Sequence, residues 1–497
     1  MPQLDFSKFT ELAQNYNLIP VFEELPADLE TPVSAFLKIR TGEYDFLFES
    51  VVGGETWGRY SFLGTRPKRV YYLEQYRFQT YDPVSKGFSD ATTIETPLEA
   101  LRLVLDDVHP YQDPKLPRFF GGLVGFFAYD SVKYFEKVQL TKPRLTEVPD
   151  MCFLHTDAVV IFDNRDQVMR LVYSVAVPDA AKSNTESLRA LYDEALATLT
   201  TLKTALQKPL SVSASTEAAL PSSGEVKALL SEHEFCDRVE AAQAYIEAGD
   251  VFQVVLSNRF EITTSGQAPF SVYRRLRRQN PSPYLFYLQM QDVTIVGASP
   301  EVLVRLEDGD VTVRPIAGTR PRGKTPEDDL AFEQELLADE KENAEHVMLV
   351  DLGRNDVGRV AEIGSVRVSQ NKFIERYSHV MHMVSEVQGI LKSDKDVFDL
   401  LAAVFPAGTL SGAPKVRAME VIDELEKSAR GIYGGAVGYV SFTKNADLAI
   451  AIRSVVFSGD AAVVQAGAGI VADSDPQKEY QECLHKAQGI VNAIRGV

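Results

Sequence analysis

The sequence predicts an α+β fold built on antiparallel sheets, and three observations carry that expectation. The stretch VLVRLEDGDVTVRP (302–315) alternates apolar and polar residues on both sides of Asp308-Gly309, the pattern of a hairpin with a two-residue turn. Strand-like runs cluster without the strict strand–helix alternation that a parallel sheet requires. Helical signals are set between those clusters, and no self-similar period of about 20–50 residues marks a repeat architecture.

Taken in order, short helices near Phe6–Ala13 and Pro97–Leu105 are interleaved with strand-like runs at Asp45–Ser50, Ala158–Phe162 and Val168–Val175. Leu188, Leu191, Tyr192, Ala195, Leu196, Leu199 and Leu202 recur at helical spacing and close the first half with an amphipathic helix. KPLSVSASTEAALPSSGE (208–225) has no apolar period and reads as a linker, which divides the chain into 1–207 and 226–497. Ser231 and Glu234 form a capping box for a helix with an apolar stripe at Phe235, Val239, Ala242 and Ile246, and Gly249 ends it. VFQVVLSNRF (251–260) reads as a strand. Thr325-Pro326-Glu327 opens one long helix, with proline in the first turn, where its missing N–H costs nothing. Strands at 436–443, 447–457 and 461–466 follow, then a helix opened by Pro476.

The 497 residues carry 51 basic and 70 acidic side chains, a net charge of −19, with 45% hydrophobic and 24% charged residues. That is an ordinary globular composition, long enough for two or three domains. The acidic balance argues against nucleic acid as a partner, because phosphates would be repelled without a basic patch. Arg274, Arg275, Arg277 and Arg278 read as one solvated helix face. Cys152, Cys236 and Cys483 are too scattered for a disulfide framework or a CxxC metal site. MPQLDFSKFTEL shows neither a signal core nor a transit character, and no apolar run approaches the ~18 residues of a membrane span. A reducing, cytoplasmic setting is the expectation.

Two glycine patterns fail on inspection. Gly467 to Ala472 matches GxGxxA, but no helix follows at once and no ribose-binding acid lies downstream. GTLSGAPK (408–415) has Ala413 where a phosphate loop needs glycine. His379 and His382 lie three apart with no HExxH around them.

Three other features point to one pocket. Glu342 with Glu345, and Glu479 with Glu482, are spaced to share a helix face; carboxylates from two helices meeting beside an anionic substrate suit Mg²⁺. Surface charge in an acidic protein is the plainer alternative. Gly467-Ala468-Gly469 at a strand end offers bare backbone N–H groups to an anion, or is a tight turn. Arg453 interrupts the apolar strand LAIAIRSVVF and needs either a substrate carboxylate or an internal acid as its partner.

These residues lie in long segments that resemble the chorismate-utilising enzymes. They are GDVFQVVLSNRFE (249–261), NPSPYLFYLQ (280–289), GASPE (297–301), RPIAGTRPRGKT (314–325), ENAEHVMLVDLGRNDVGRV (342–360), YSHVMHMVSEV (377–387), FPAGTLSGAPKVRAMEVIDELE (405–426), GIYGGAVGY (431–439), AIRSVV (451–456) and QAGAGIVADSDPQKEYQE (465–482), with FLFESVVGGETWGRYSFLG (46–64) near the N-terminus. Within that family the chain resembles the large subunit of the anthranilate-forming branch. The resemblance implies a sandwich of antiparallel sheets with helices outside, an N-terminal regulatory part (1–207) and a larger chorismate-binding part (226–497). It assigns Mg²⁺ to Glu345 and Glu482, and chorismate contacts to Gly318, Thr319, Tyr433, Arg453, Gly467, Ala468 and Gly469. It implies that Glu301 protonates the departing C4 hydroxyl, that His382 has an acid/base role, and that Thr409 belongs to the pocket; it leaves Glu342 and Glu479 without a role. A poor leaving group needs such a proton, and a metal-held dianion needs its charge neutralised.

Two positions separate the branches under this resemblance. Gln253 stands where isochorismate- and salicylate-forming relatives carry a water-activating lysine, and Ala317 where aminodeoxychorismate-forming relatives carry a lysine that forms an adduct. Ammonia is then the expected nucleophile. None of the three cysteines sits in a GxCxG-type elbow, so a separate glutamine amidotransferase subunit is the expected source, in a heterotetramer of two large and two small subunits. Ser50 with Pro283, Tyr284 and Leu285 matches the family's pocket for tryptophan as feedback inhibitor; Leu285 replaces a methionine of some relatives, a volume-conserving change.

Overall fold

The computed structural model describes residues 2–50, 58–210, 225–264, 268–377 and 380–496. His379, most of the 208–225 linker and the centre of the 46–64 segment lie outside the described residues. Two large antiparallel sheets, one of 12 strands and one of 13, make the body of the molecule. Period-2 alternation explains how they pack. In the 12-stranded sheet Phe46, Phe286 and Ile295 point into the core shared with Leu123, Phe126, Leu306 and Leu448 of the other sheet. Their neighbours Leu47, Tyr287 and Val296 point the opposite way, onto helices carrying Phe9, Phe36, Leu199, Phe270 and Ile490. The result is the expected sandwich with helices outside.

Each sheet takes strands from both sides of the linker. Strand Tyr44–Glu49 pairs with Tyr284–Met290 in one sheet, and Gly122–Phe127 with Ala436–Ser441 in the other. The two stretches of sequence are therefore joined by main-chain ladders rather than by a surface contact.

Several local expectations are met. The capping box at Ser231 opens helix Glu232–Glu247. Asp308 and Gly309, with φ of 52° and 92°, close the hairpin between Val302–Glu307 and Asp310–Val313, as a primed turn requires. Others change. The long helix expected from Thr325 is two, Pro326–Ala338 and Glu340–Gly358, because the Asp339 side chain accepts from the N–H groups of Lys341 and Glu342 and so starts a new helix. Glu342 and Glu345 belong to the second. The arginine run 274–278 is not a solvated face: Arg275 is buried with Nε on the Ala493 carbonyl, and Arg277 makes a two-pronged pair with Glu49 at 2.9 and 3.0 Å. Among the described residues no helix is long and apolar enough to cross a membrane.

Candidate active site and a second cavity

The apolar run expected as one strand at 447–457 is two: Ala446–Ile450 lies in the 13-stranded sheet and Ser454–Ser458 in the other. Arg453 sits at the crossing, with a φ of 49°. A second crossing lies beside it, since Val293–Ser299 and Val302–Glu307 also belong to different sheets, with Glu301 between them. The two crossings are tied together. The Ala298 N–H donates to the Arg453 carbonyl, and the Ile450 N–H to that of Glu301, both at 3.0 Å. The corner of the sandwich thus brings together an acid and a base 152 positions apart.

Glu301 is only 8% exposed, and burial pushes its carboxyl up to about 7, opposed by the hydroxyl of Thr409 and the charge of Lys486. Thr409, in the turn Gly408–Leu410, donates to Glu301 Oε1 at 2.8 Å. His382, on strand Val380–Ile390, faces Thr319 across the ladder, with Thr319 Oγ1 and His382 Nδ1 2.9 Å apart. The register shifts between Ala317 and Thr319, and Gly318 takes up the irregularity with a φ of 77°. Burial lowers the His382 imidazole to about 4, so it is neutral at ordinary pH. Tyr377, which sequence reasoning passed over, packs edge-on against His382 with centroids 5.6 Å apart.

Opposite these lie the glutamates. Glu345 accepts from Gln253 Nε2 at 3.1 Å; burial raises its carboxyl, and the charges of Glu342 and Glu482 raise it further. Burial also raises Glu479, with the Glu482 charge adding to the shift. Glu342 is held by Arg320 at 3.0 Å. Glu482 pairs with Lys486 one turn along helix Pro476–Arg495, at 2.6 Å. Lys486 was also missed, although its i,i+4 spacing from Glu482 was a usable signal. Its ammonium donates to the Gly467 carbonyl at 3.0 Å, and its own carbonyl accepts from Arg453 Nη1 at 3.0 Å. Of the two partners expected for Arg453, the internal acid is not found: among the described residues no carboxylate forms an ion pair with it, and burial lowers its pKa against the opposing charges of Tyr433 and Glu482.

Gly467, Ala468 and Gly469 are not a turn. They lie within strand Ala461–Ile470, paired to Ser257, Leu256 and Val255. The neighbour on the other side, Ser454–Ser458, reaches only to Val464, so the main chain beyond is left unpaired by that strand. At 467 glycine is required for space, since a Cβ would lie 2.7 Å from the Leu256 carbonyl oxygen and 2.6 Å from the Tyr433 hydroxyl; at 469 a Cβ would meet only the Gln253 amide, at 2.5 Å, and would displace it.

Tyr433 is held by a buried arginine. Arg430 stacks on the rings of Tyr129 and Tyr433 at 4.6 and 5.6 Å, pairs with Glu426 at 2.7 Å, and donates to the carbonyls of Leu410 and Val255. Breaking a buried pair strands the remaining charge. Glu426→Ala is expected to lower the free energy of unfolding by ~3–5 kcal/mol, read by urea denaturation; a loss under ~1 kcal/mol would mean that the pair contributes as little as an exposed one.

All four residues of the expected inhibitor pocket line one cavity of about 650 Å³ between the sheets. Tyr284 donates to Asp447 Oδ1 at 2.8 Å, and Arg305 holds the other oxygen at 2.6 Å. Tyr284 and Leu285 lie directly across the ladder from Ser299 and Ala298, next to Glu301, while Asp447 is on the strand that leads to Arg453.

As to donors for a metal, among the described residues no three His, Cys, Asp or Glu side chains form a ready-made cage. Mutually repelling carboxylates on two helix faces fit a hard divalent cation that keeps most of its water and takes further oxygens from a substrate.

The sequence matches the family model for chorismate binding enzymes over residues 63–492. It is 46% identical over 496 residues to anthranilate synthase component 1 of Aquifex aeolicus, covering 99% of this chain and 97% of that one. It is 48% identical over 510 residues to the protein of the same name from Synechocystis sp., covering 99% of each. The fold is similar to the crystal structure of anthranilate synthase component I from Streptococcus pneumoniae, with a TM-score of 0.73 and 36% identity over 94% of this chain and 99% of that one.

Proposed function

The chain belongs to the chorismate-binding enzymes, and on that premise we propose that it aminates chorismate with ammonia and eliminates pyruvate to give anthranilate. The observation that carries this reading is Glu301. It is a buried carboxyl held near neutrality, hydrogen-bonded to Thr409, at a corner it shares with the buried Arg453. In the reaction the nitrogen–C2 bond forms as the C4–O bond breaks, and Glu301 supplies the proton with which the hydroxyl leaves as water. Loss of the C2 proton with cleavage of the C3–O bond then yields pyruvate and the aromatic ring. His382, positioned by Thr319 and neutral at ordinary pH, takes the acid/base role in leaving-group or pyruvate-elimination chemistry. Arg453 and the open main chain at Gly467–Gly469 receive carboxylate groups of the substrate. Glu345 and Glu482 would hold Mg²⁺, which neutralises the ring carboxylate when bound.

Gln253 supports ammonia over water as nucleophile, because an amide side chain cannot serve as a base. Ala317 offers no amine for an adduct. The ammonia must come from outside the chain: burial raises all three thiols, which leaves no activated cysteine for glutamine hydrolysis. A glutamine amidotransferase subunit is the proposed partner, in a heterotetramer of two large and two small chains.

The second cavity is proposed as the site of tryptophan feedback. Its wall residues Tyr284 and Leu285 share a ladder with the segment leading to Glu301, which gives a bound ligand a direct path to the acid. If the coupling acts on affinity, chorismate weakens tryptophan binding by the same factor. Ser50→Phe, which fills part of this cavity, is expected to raise the tryptophan concentration for half-inhibition by about tenfold or more, the equivalent of ~1.4 kcal/mol. An unchanged value would place the inhibitor elsewhere.

The direct test is anthranilate fluorescence from the purified chain given chorismate, a magnesium salt and ammonium at mildly alkaline pH. Anthranilate that forms, and falls on adding tryptophan or a chelator, supports the reaction, its metal and its feedback. Chorismate consumed without anthranilate would point to another branch and defeat the reading of Gln253 and Ala317.

A further inference from the structure

With Tyr433 in its wall, a small chamber of about 30 Å³ lies between residues 144–148 of the N-terminal half and strands Gln253–Thr263 and Ala461–Ile470. Arg259 forms part of its wall. It is 7% exposed, its Nη2 donates to the Leu145 carbonyl at 3.2 Å, and among the described residues no carboxylate pairs with it. A guanidinium this deep in a protein is almost always matched by an anion. The other two arginines of the wall are matched: Arg430 by Glu426, and Arg144 by Asp150 and Glu74. Thr146, facing the same chamber, has a buried hydroxyl with no hydrogen-bond partner. The one acid in the wall, Asp130, accepts from the Gly431 N–H at 2.8 Å, and burial shifts its carboxyl towards the neutral form.

We propose that this chamber binds one small monovalent anion, of the size of chloride, held by Arg259 and the hydroxyl of Thr146. A positive group with unused N–H donors and a hydroxyl with no acceptor converge on the same space, and an anion satisfies both. A water there would accept the hydrogen bonds but leave the charge uncompensated. At about 30 Å³ the chamber suits a monatomic anion better than a carboxylate or phosphate. The bound ion fastens residues 144–148 to the strand that begins at Gln253 and to the segment carrying Arg430 and Tyr433, so it stabilises the join between the two halves.

The test uses crystals of the full chain grown in bromide, together with thermal unfolding at constant ionic strength in chloride or in gluconate, which is too large to enter. The expected result is one anomalous bromide peak between Arg259 and Thr146. Chloride should raise Tm of the wild type saturably by about 1–3 °C over gluconate. Thr146→Val, which keeps shape and loses the donor, should abolish that difference. No bromide peak, or equal Tm in the two salts, would overturn the proposal. A peak without any chloride effect on Tm, or with one that survives in Thr146→Val, would mean an adventitious ion and overturn it equally.

Discussion

Glu301→Gln is expected to lower kcat for anthranilate formation by about 10²–10⁴-fold, the usual contribution of a positioned acid, with little change in KM for chorismate. Glutamine keeps the volume and can still accept from Thr409, whose oxygen lies 2.8 Å from the present carboxylate. What it removes is the proton. The pH profile provides an independent check. Because burial holds the Glu301 carboxyl at about 7, its acid form prevails below that value and is lost as pH rises through it. With free ammonia held constant, wild-type kcat/KM for chorismate, which reports groups of the free enzyme, should therefore fall above about pH 7. The variant's residual rate should lack that limb. His382, lowered to about 4, contributes no limb of its own near neutrality. A Glu301→Gln enzyme with near-normal kcat, or one that keeps the limb, would remove Glu301 from the chemistry.

Glu345→Gln is the second large effect. The site at Glu345 gathers the negative charge of Glu342 and Glu482, with Lys486 as the opposing cation. A divalent ion there would contribute several kcal/mol to a reaction on a dianion. Turnover should fall by at least about 10²-fold, and raising the magnesium concentration should not restore it fully. Tryptophan binding, measured by calorimetry, should stay largely intact, because the 650 Å³ cavity shares no lining residue with this cluster. Full magnesium-dependent activity in this variant would refute the metal assignment. Joint loss of turnover and tryptophan binding would instead mean that Glu345 supports the fold.

How far the sequence went is visible at particular residues. The capping box at Ser231, the turn at Asp308-Gly309 and the α+β class with its sandwich of antiparallel sheets were legible because each is set by local chemistry or by the period of the apolar pattern. Glu345, Glu482 and Arg453 were drawn toward one pocket by helix-face spacing and by a charge in an apolar run, whereas Glu301 and His382 joined them only through resemblance, since nothing in their spacing does so. Other features misled for physical reasons. Asp339 looks like one more acid in an acidic helix, yet its side chain caps a new one. The run around Arg453 is apolar on both sides because both strands are buried, which hides the break between them. Arg275 and Arg277 read as solvent-facing until the chain brings Ala493 and Glu49 to them.

The sequence by itself determined the fold class, the family and many of the local elements, because propensity, capping and apolar period act over a few neighbouring residues. Only the tertiary structure decided that two adjacent strands leave one sheet for the other side by side. That exchange puts Glu301 next to Arg453, strips water from the carboxyl and raises it to about 7. The pKa of an acid, and the lack of an ion-paired carboxylate at Arg453 among the described residues, depend on what the rest of the chain places around them. No pattern along the chain encodes that until it folds.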